Sequence, residues 1–118
     1  MGAGSEFPPA PLRVQYDVDP NGSLRLILTG EIDVSNVDLL ARSLATVPAP
    51  DNVVVDLAGV TFLDSTGVAA LVVAHRRAAA AGRRLAVVNA QGIVRRVLAI
   101  TGALPTLAGR DASAREPL

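Results

Sequence analysis

The stretch from Val53 to Gly67 constrains this chain more than any other. Val53-Val54-Val55-Asp56-Leu57 is a short β-branched apolar run, the pattern of a strand buried within a sheet. A loop is expected to leave it. The polar turn Asp64-Ser65-Thr66-Gly67 then opens directly into Val68-Ala69-Ala70-Leu71-Val72-Val73-Ala74, which reads as a helix. Hydroxyls are thereby displayed at a helix N-terminus, where backbone N–H groups lack partners and the helix dipole is positive. Such a position suits an anion or a phosphorylated side chain.

The flanking sequence supplies the rest of an α/β domain. Leu12, Val14, Tyr16 and Val18 alternate with Arg13, Gln15 and Asp17, the period of a half-exposed strand. Asp19-Pro20-Asn21-Gly22 is a turn signal, and Ser23–Thr29 returns as a second strand, giving a hairpin. Gly30-Glu31-Ile32-Asp33 ends that strand. Ser35 is expected to cap a first helix, with Asp38 as its return partner. Val37, Leu40, Ala41 and Leu44 form that helix's apolar stripe, and Pro48-Ala49-Pro50 stops it. The second helix spans about 65–81, with Val68, Leu71, Val72, His75 and Ala79 on one face and Gly82 just past its end. Leu85–Val88 is another buried strand. Asn89 is expected to cap a third helix over Gln91–Thr101, and Leu104–Leu107 reads as a short final strand or irregular chain. The order is ββαβαβα: a single domain with a mixed sheet covered by helices. Its expected span is 8–110, between a vector-encoded leader at 1–7 and a flexible tail at 111–118.

Composition excludes several classes of function. Half of the 118 residues are hydrophobic but only 3% are aromatic, so a core is built from Val, Leu, Ile and Ala. The formal net charge is zero, against a nucleic-acid or anionic-membrane partner. Without cysteine there is no disulfide or thiol chemistry, and without a long apolar run no membrane span or signal peptide is expected, which implies a cytoplasmic protein. The basic residues are all Arg; a phosphate-binding loop, which requires Lys, is therefore missing. The only histidine, His75, falls mid-helix on an apolar stripe and reads as a packed residue, so a nucleophilic triad has no base. Metal ligands at workable spacing are also lacking. No catalytic residue, metal or cofactor is expected.

Against this background the segment Asp56-Leu57-Ala58-Gly59-Val60-Thr61-Phe62-Leu63-Asp64-Ser65-Thr66-Gly67 resembles the signature of bacterial anti-sigma factor antagonists of the STAS domain family. Gly30-Glu31-Ile32-Asp33 resembles the family's segment after the second strand. Arg95-Arg96-Val97-Leu98-Ala99-Ile100-Thr101-Gly102 resembles its third-helix pattern, although Val68 and Ala69 stand where Leu-Gly is frequent. The resemblance implies partner switching. The unmodified antagonist binds an anti-sigma factor that is also a serine kinase, a sigma factor is freed, phosphorylation ends binding, and a serine phosphatase resets the cycle. By position the phosphoacceptor is Ser65, with Thr66 a possible second acceptor, and the partner-binding residues are Asp33, Asp64, Ser65, Thr66 and Gly67. On local pattern alone, Ser65 reads first as one of three consecutive capping residues. Asp33 could form a turn instead of docking a partner, and Arg95 and Arg96 fit a solvated helix face. The alternative within the fold is an unphosphorylated module, a scaffold or accessory subunit of a lipid-transport complex. A nucleotide-binding domain is the weakest reading.

Overall fold

A computed structural model of the chain describes residues 11–20, 22–45 and 52–108. The expected leader at 1–7, the proline stop at 48–50 and the tail at 111–118 lie outside the described residues. The element order is β1 (Arg13–Val18), β2 (Leu24–Ile32), α1 (Val37–Ala45), β3 (Asn52–Leu63), α2 (Ser65–Ala80), β4 (Arg84–Val88), α3 (Gly92–Ile100) and α4 (Leu104–Leu107). The strands form one mixed sheet in the order β1-β2-β3-β4, antiparallel for β1/β2 and parallel for the rest. The final segment is a one-turn helix, α4, and not a strand. Pro105 falls in its first turn, where a missing N–H costs no hydrogen bond.

One face of the sheet carries the core. Leu26 of β2 pairs with Val55 of β3, which pairs with Val87 of β4, and all three are fully buried. Leu40 of α1, Leu71 of α2, and Val94 and Leu98 of α3 join the same cluster. Successive strand residues point to opposite faces, so this row explains the alternation of Leu24, Leu26 and Leu28 with Arg25 and Ile27.

Two strands run further than the sequence pattern indicates. β2 continues through Gly30-Glu31 to Ile32, and β3 runs past Leu57 to Leu63 in place of the loop. The reason is a pair of register shifts in the β2/β3 ladder, one between Ile27 and Thr29 and one between Gly30 and Glu31. At each, β3 contributes one extra residue. Inward-facing positions of β3 are accordingly Val53, Val55 and Leu57, then Val60, then Leu63. The spacing changes from two to three, which looks like the end of a strand. At the second shift Gly30 adopts φ 103°, a conformation that glycine alone takes without strain.

On the opposite face, Asp56 is a carboxylate of only 6% exposure joining three segments. Its Oδ2 accepts from Arg25 Nη2 at 2.5 Å; its Oδ1 accepts from the Ala58 N–H at 2.9 Å and from Asn89 Nδ2 at 3.1 Å. Burial pushes this carboxyl up. The Ala58 N–H, the Asn89 amide and the Arg25 guanidinium together outweigh burial and hold it below the usual carboxylate range. Asn89 is therefore not the cap of α3. It sits at φ 63° with its amide on Asp56, and Gln91 occupies the cap position without a side-chain cap bond. His75 is half-buried, its Nδ1 donating to the Leu85 carbonyl at 2.8 Å and tying α2 to β4.

Candidate functional site

The carboxyl ends of the neighbouring parallel strands β2 and β3 bring two turns together. In open α/β sheets this end is where ligands and partners are met. Directly after Leu63, the Asp64 N–H donates to the Ile32 carbonyl at 3.1 Å, so the start of α2 hangs from the last residue of β2. Asp64 is the cap of α2: its Oδ1 accepts from the N–H groups of Thr66 (3.0 Å) and Gly67 (3.2 Å) and from Thr66 Oγ1 (2.5 Å). The Val34 N–H, in the turn after β2, also bears on the charge of this carboxylate. The Thr66 hydroxyl is the main influence holding the Asp64 carboxyl below its ordinary value; the Gly67, Thr66 and Val34 N–H groups add to it and outweigh desolvation.

With capping assigned to Asp64, the hydroxyl of Ser65 is left exposed on the first helical residue, without a hydrogen bond among the described residues. Thr66 is half-buried and its hydroxyl is engaged by Asp64. Gly67 is buried and supports the turn from beneath. A Cβ there would lie 2.3 Å from Leu63 Cδ1 and 2.8 Å from Ile32 Cγ2, both fully buried side chains with no room to swing away. Gly67→Ala gains about 1 kcal/mol of helix propensity but overpacks this contact at a cost of about 1–3 kcal/mol. A net loss of about 1 kcal/mol is expected, read as a melting temperature lower by several degrees. An unchanged or raised melting temperature would show that Leu63 gives way.

Asp33 anchors the second turn. Its Oδ1 accepts from the Ser35 N–H (2.9 Å) and Oγ (2.5 Å), while its own N–H donates to Asn36 Oδ1 at 3.0 Å. Asn36 Nδ2 in turn reaches the Glu31 carbonyl at 2.8 Å. Ser35 is therefore a donor to Asp33 and not the cap of α1, and the expected Ser35–Asp38 box gives way to this Asp33–Asn36 bracket. The turn-forming role of Asp33 is thus observed.

Asp64 and, in the adjoining turn after Ile32, Asp33 put carboxylates beside the Ser65 turn, and this end of the sheet also exposes apolar side chains that sequence reasoning did not single out. Val34 (74% exposed), Phe62 and Ile93 are solvent-accessible at the same end of the parallel strands. Their signal in the sequence is weak: one apolar residue within each polar turn or strand end. Arg95 and Arg96 are exposed on α3. Among the described residues no group of His, Asp and Glu could hold a metal ion, and no helix is long and apolar enough to cross a membrane.

Fold and site together define an α/β domain that presents an exposed hydroxyl at a carboxylate-capped helix start, at the carboxyl end of two parallel strands. The STAS domain family profile matches residues 13–113, and the chain belongs to that family. A search of curated protein sequences returns no match. Among solved structures, an anti-sigma factor antagonist from Mycobacterium paratuberculosis is similar at 27% identity and a TM-score of 0.73, over 82% of this chain and 83% of that one. The anti-sigma factor antagonist SpoIIAA in its unphosphorylated form shares the fold at 23% identity and a TM-score of 0.67, covering 79% of this chain and 84% of its own. The Bacillus cell-fate determinant SpoIIAA in its phosphorylated form does so at 22% identity and 0.62, covering 79% and 86%.

Proposed function

We propose that this chain is an anti-sigma factor antagonist that works by partner switching. It binds an anti-sigma factor that is also a serine kinase, through the surface of Asp33, Val34, Phe62 and the Asp64–Gly67 turn, and so frees a sigma factor. Phosphorylation of Ser65 ends the complex, and a serine phosphatase restores it. The observation that carries this reading is the division of labour in the turn: Asp64 does the capping, which leaves the Ser65 hydroxyl open at a fixed place. Thr66, with its hydroxyl engaged by Asp64, is the poorer acceptor. Support also comes from the anti-sigma factor antagonist from Mycobacterium, whose domain is matched over most of its length, and from the existence of SpoIIAA in both phosphorylation states. The domain carries no catalytic residue in this scheme and works in the cytoplasm, its partners being proteins and not nucleic acid or membrane.

The test is pairwise. Each anti-sigma kinase of the source organism is mixed with the wild-type chain and with Ser65→Ala, with and without ATP, and complex formation and intact mass are read. One phosphate on wild type, none on Ser65→Ala, and loss of the complex only where phosphate is added are the expected results. Absence of any complex and any phosphate across the whole set would reject the reading in favour of a scaffold or transport-complex subunit.

A further inference from the structure

Helix α2 is apolar over a wide arc: beside its buried face, Ala70, Ala74 and Ala78 are only half-buried against the core, and Ala69 and Val73 are exposed. Val68 and Leu71 point into the core cluster. Ala69, Ala70, Val73, Ala74 and Ala78 recur at helical spacing on an adjacent face, which borders an open groove of about 490 Å³ against Ala41, Leu44 and Ala45 of α1. An apolar face of this extent on a surface helix ordinarily finds a partner. Here Val73 stays 47% exposed, because alanines on both helices are too small to close the space.

The groove has a polarity along its length. Thr66 lines one end, and Arg77 and Arg83 line the other, above Val53 and Leu85. Among the described residues no carboxylate lines it. The neutral net charge of the chain conceals a segregation: between Asp64 and the end of α4 the sequence contains Arg76, Arg77, Arg83, Arg84, Arg95 and Arg96 but no Asp or Glu. Neither Arg77 nor Arg83 forms an ion pair with an acid among the described residues. From Thr66 to Arg77 the helix rises about 16 Å. That is roughly half the ~30 Å hydrocarbon thickness of a bilayer, the length of one acyl chain.

We infer that the α1–α2 groove is a binding site for a free single-chain anionic amphiphile, a fatty acid of medium to long chain. The methylene chain lies along the alanine face, and the carboxylate meets Arg77 and Arg83 at the mouth, where a guanidinium fork suits a planar carboxylate. The volume lies within the range of small-molecule sites. A single groove with one basic mouth matches one chain and one anionic head, in contrast to a two-chain bilayer lipid.

The experiment titrates the full chain with tetradecanoate below its critical micelle concentration by calorimetry, with tetradecan-1-ol as the uncharged isostere. Saturable one-to-one binding is expected, at least tenfold tighter for the acid than for the alcohol. Binding should weaken at least tenfold in Arg77→Gln/Arg83→Gln and stay unchanged in Arg95→Gln/Arg96→Gln. Ala74→Phe fills the groove and should abolish binding while circular dichroism shows the fold retained. Four results would overturn the inference: no saturable binding, equal affinity for acid and alcohol, equal loss from the α3 arginine pair, or association with anionic phospholipid vesicles but not with the free acid. Should Ala74→Phe fail to fold, the two arginine pairs and the acid/alcohol comparison still decide.

Discussion

Asp56→Ala is expected to lower the stability of the domain by about 3 kcal/mol, the loss of a buried, paired carboxylate. The melting temperature should fall by more than 10 °C on the scale of a 100-residue domain. The carboxylate is nearly buried and serves the Ala58 N–H, the Asn89 amide and the Arg25 guanidinium at once. Alanine leaves the Ala58 N–H unpaired at the first shift of β3 and releases Asn89, which holds φ 63° between β4 and α3. Asp56→Asn separates the contributions. Its Oδ1 still accepts from Ala58 and Asn89, while its amide nitrogen, a donor, replaces the oxygen that accepted from the half-exposed Arg25, so the ion pair and its hydrogen bond go and a smaller loss of about 1–2 kcal/mol is expected. Chemical denaturation of the three proteins measures both differences; equal losses would place the stability in the ion pair instead of the hydrogen-bonded hub.

The same carboxylates set a pH dependence. The folded state holds the Asp56 and Asp64 carboxyls below their ordinary value, so the unfolded chain binds protons first as pH falls. Their stabilisation is fully present above the unfolded value of about 4 and is lost as pH drops through the folded values. Wild type should therefore lose stability steeply below about pH 4, and Asp56→Asn less steeply. A parallel fall in both proteins would show that Asp56 is not among the groups responsible.

What could be read from the sequence follows from how local each determinant is. The hairpin and the α2 start rest on alternation and a polar turn within single segments, and the structure has them where these signals point; on the expected core face of α2, Val68 and Leu71 are buried, but Ala79 is exposed and Ala78 packs on the core in its place. The far half of β3 was hidden because its two extra residues show only against β2: Val60 and Leu63 face inward, but three residues apart. Asn89 next to a glycine-opened helix resembles a cap, and nothing local reveals that its amide belongs to Asp56, thirty-three positions earlier. At the site, Asp64, Ser65 and Thr66 are interchangeable as capping residues on paper. Only the backbone geometry assigns the role to Asp64. The basic mouth of the α1–α2 groove was masked by a net charge of zero, since acids and arginines cancel over the whole chain while occupying different parts of it.

On the proposed function, a phosphate on Ser65 should weaken the complex with the anti-sigma factor at least a hundredfold, about 2.7 kcal/mol. The group brings roughly −1.5 to −2 charges at neutral pH. A free helix N-terminus could neutralise much of that, but here the Thr66 and Gly67 N–H groups already donate to Asp64. The phosphate must either displace that carboxylate or remain beside it. At about 6 Å and an effective dielectric constant of about 20, one pair of like charges repels by about 3 kcal/mol. A partner burying the turn would then have to desolvate an uncompensated dianion. Asp64→Asn tests the account, because asparagine keeps an acceptor for both N–H groups and removes the neighbouring charge. With Ser65 phosphorylated, the penalty on binding should shrink about tenfold relative to the wild-type background, as titration of both phosphoproteins against the kinase without ATP would show. An unchanged penalty would mean that the partner rejects the bulk of the phosphate, and that Asp64 only holds the helix start.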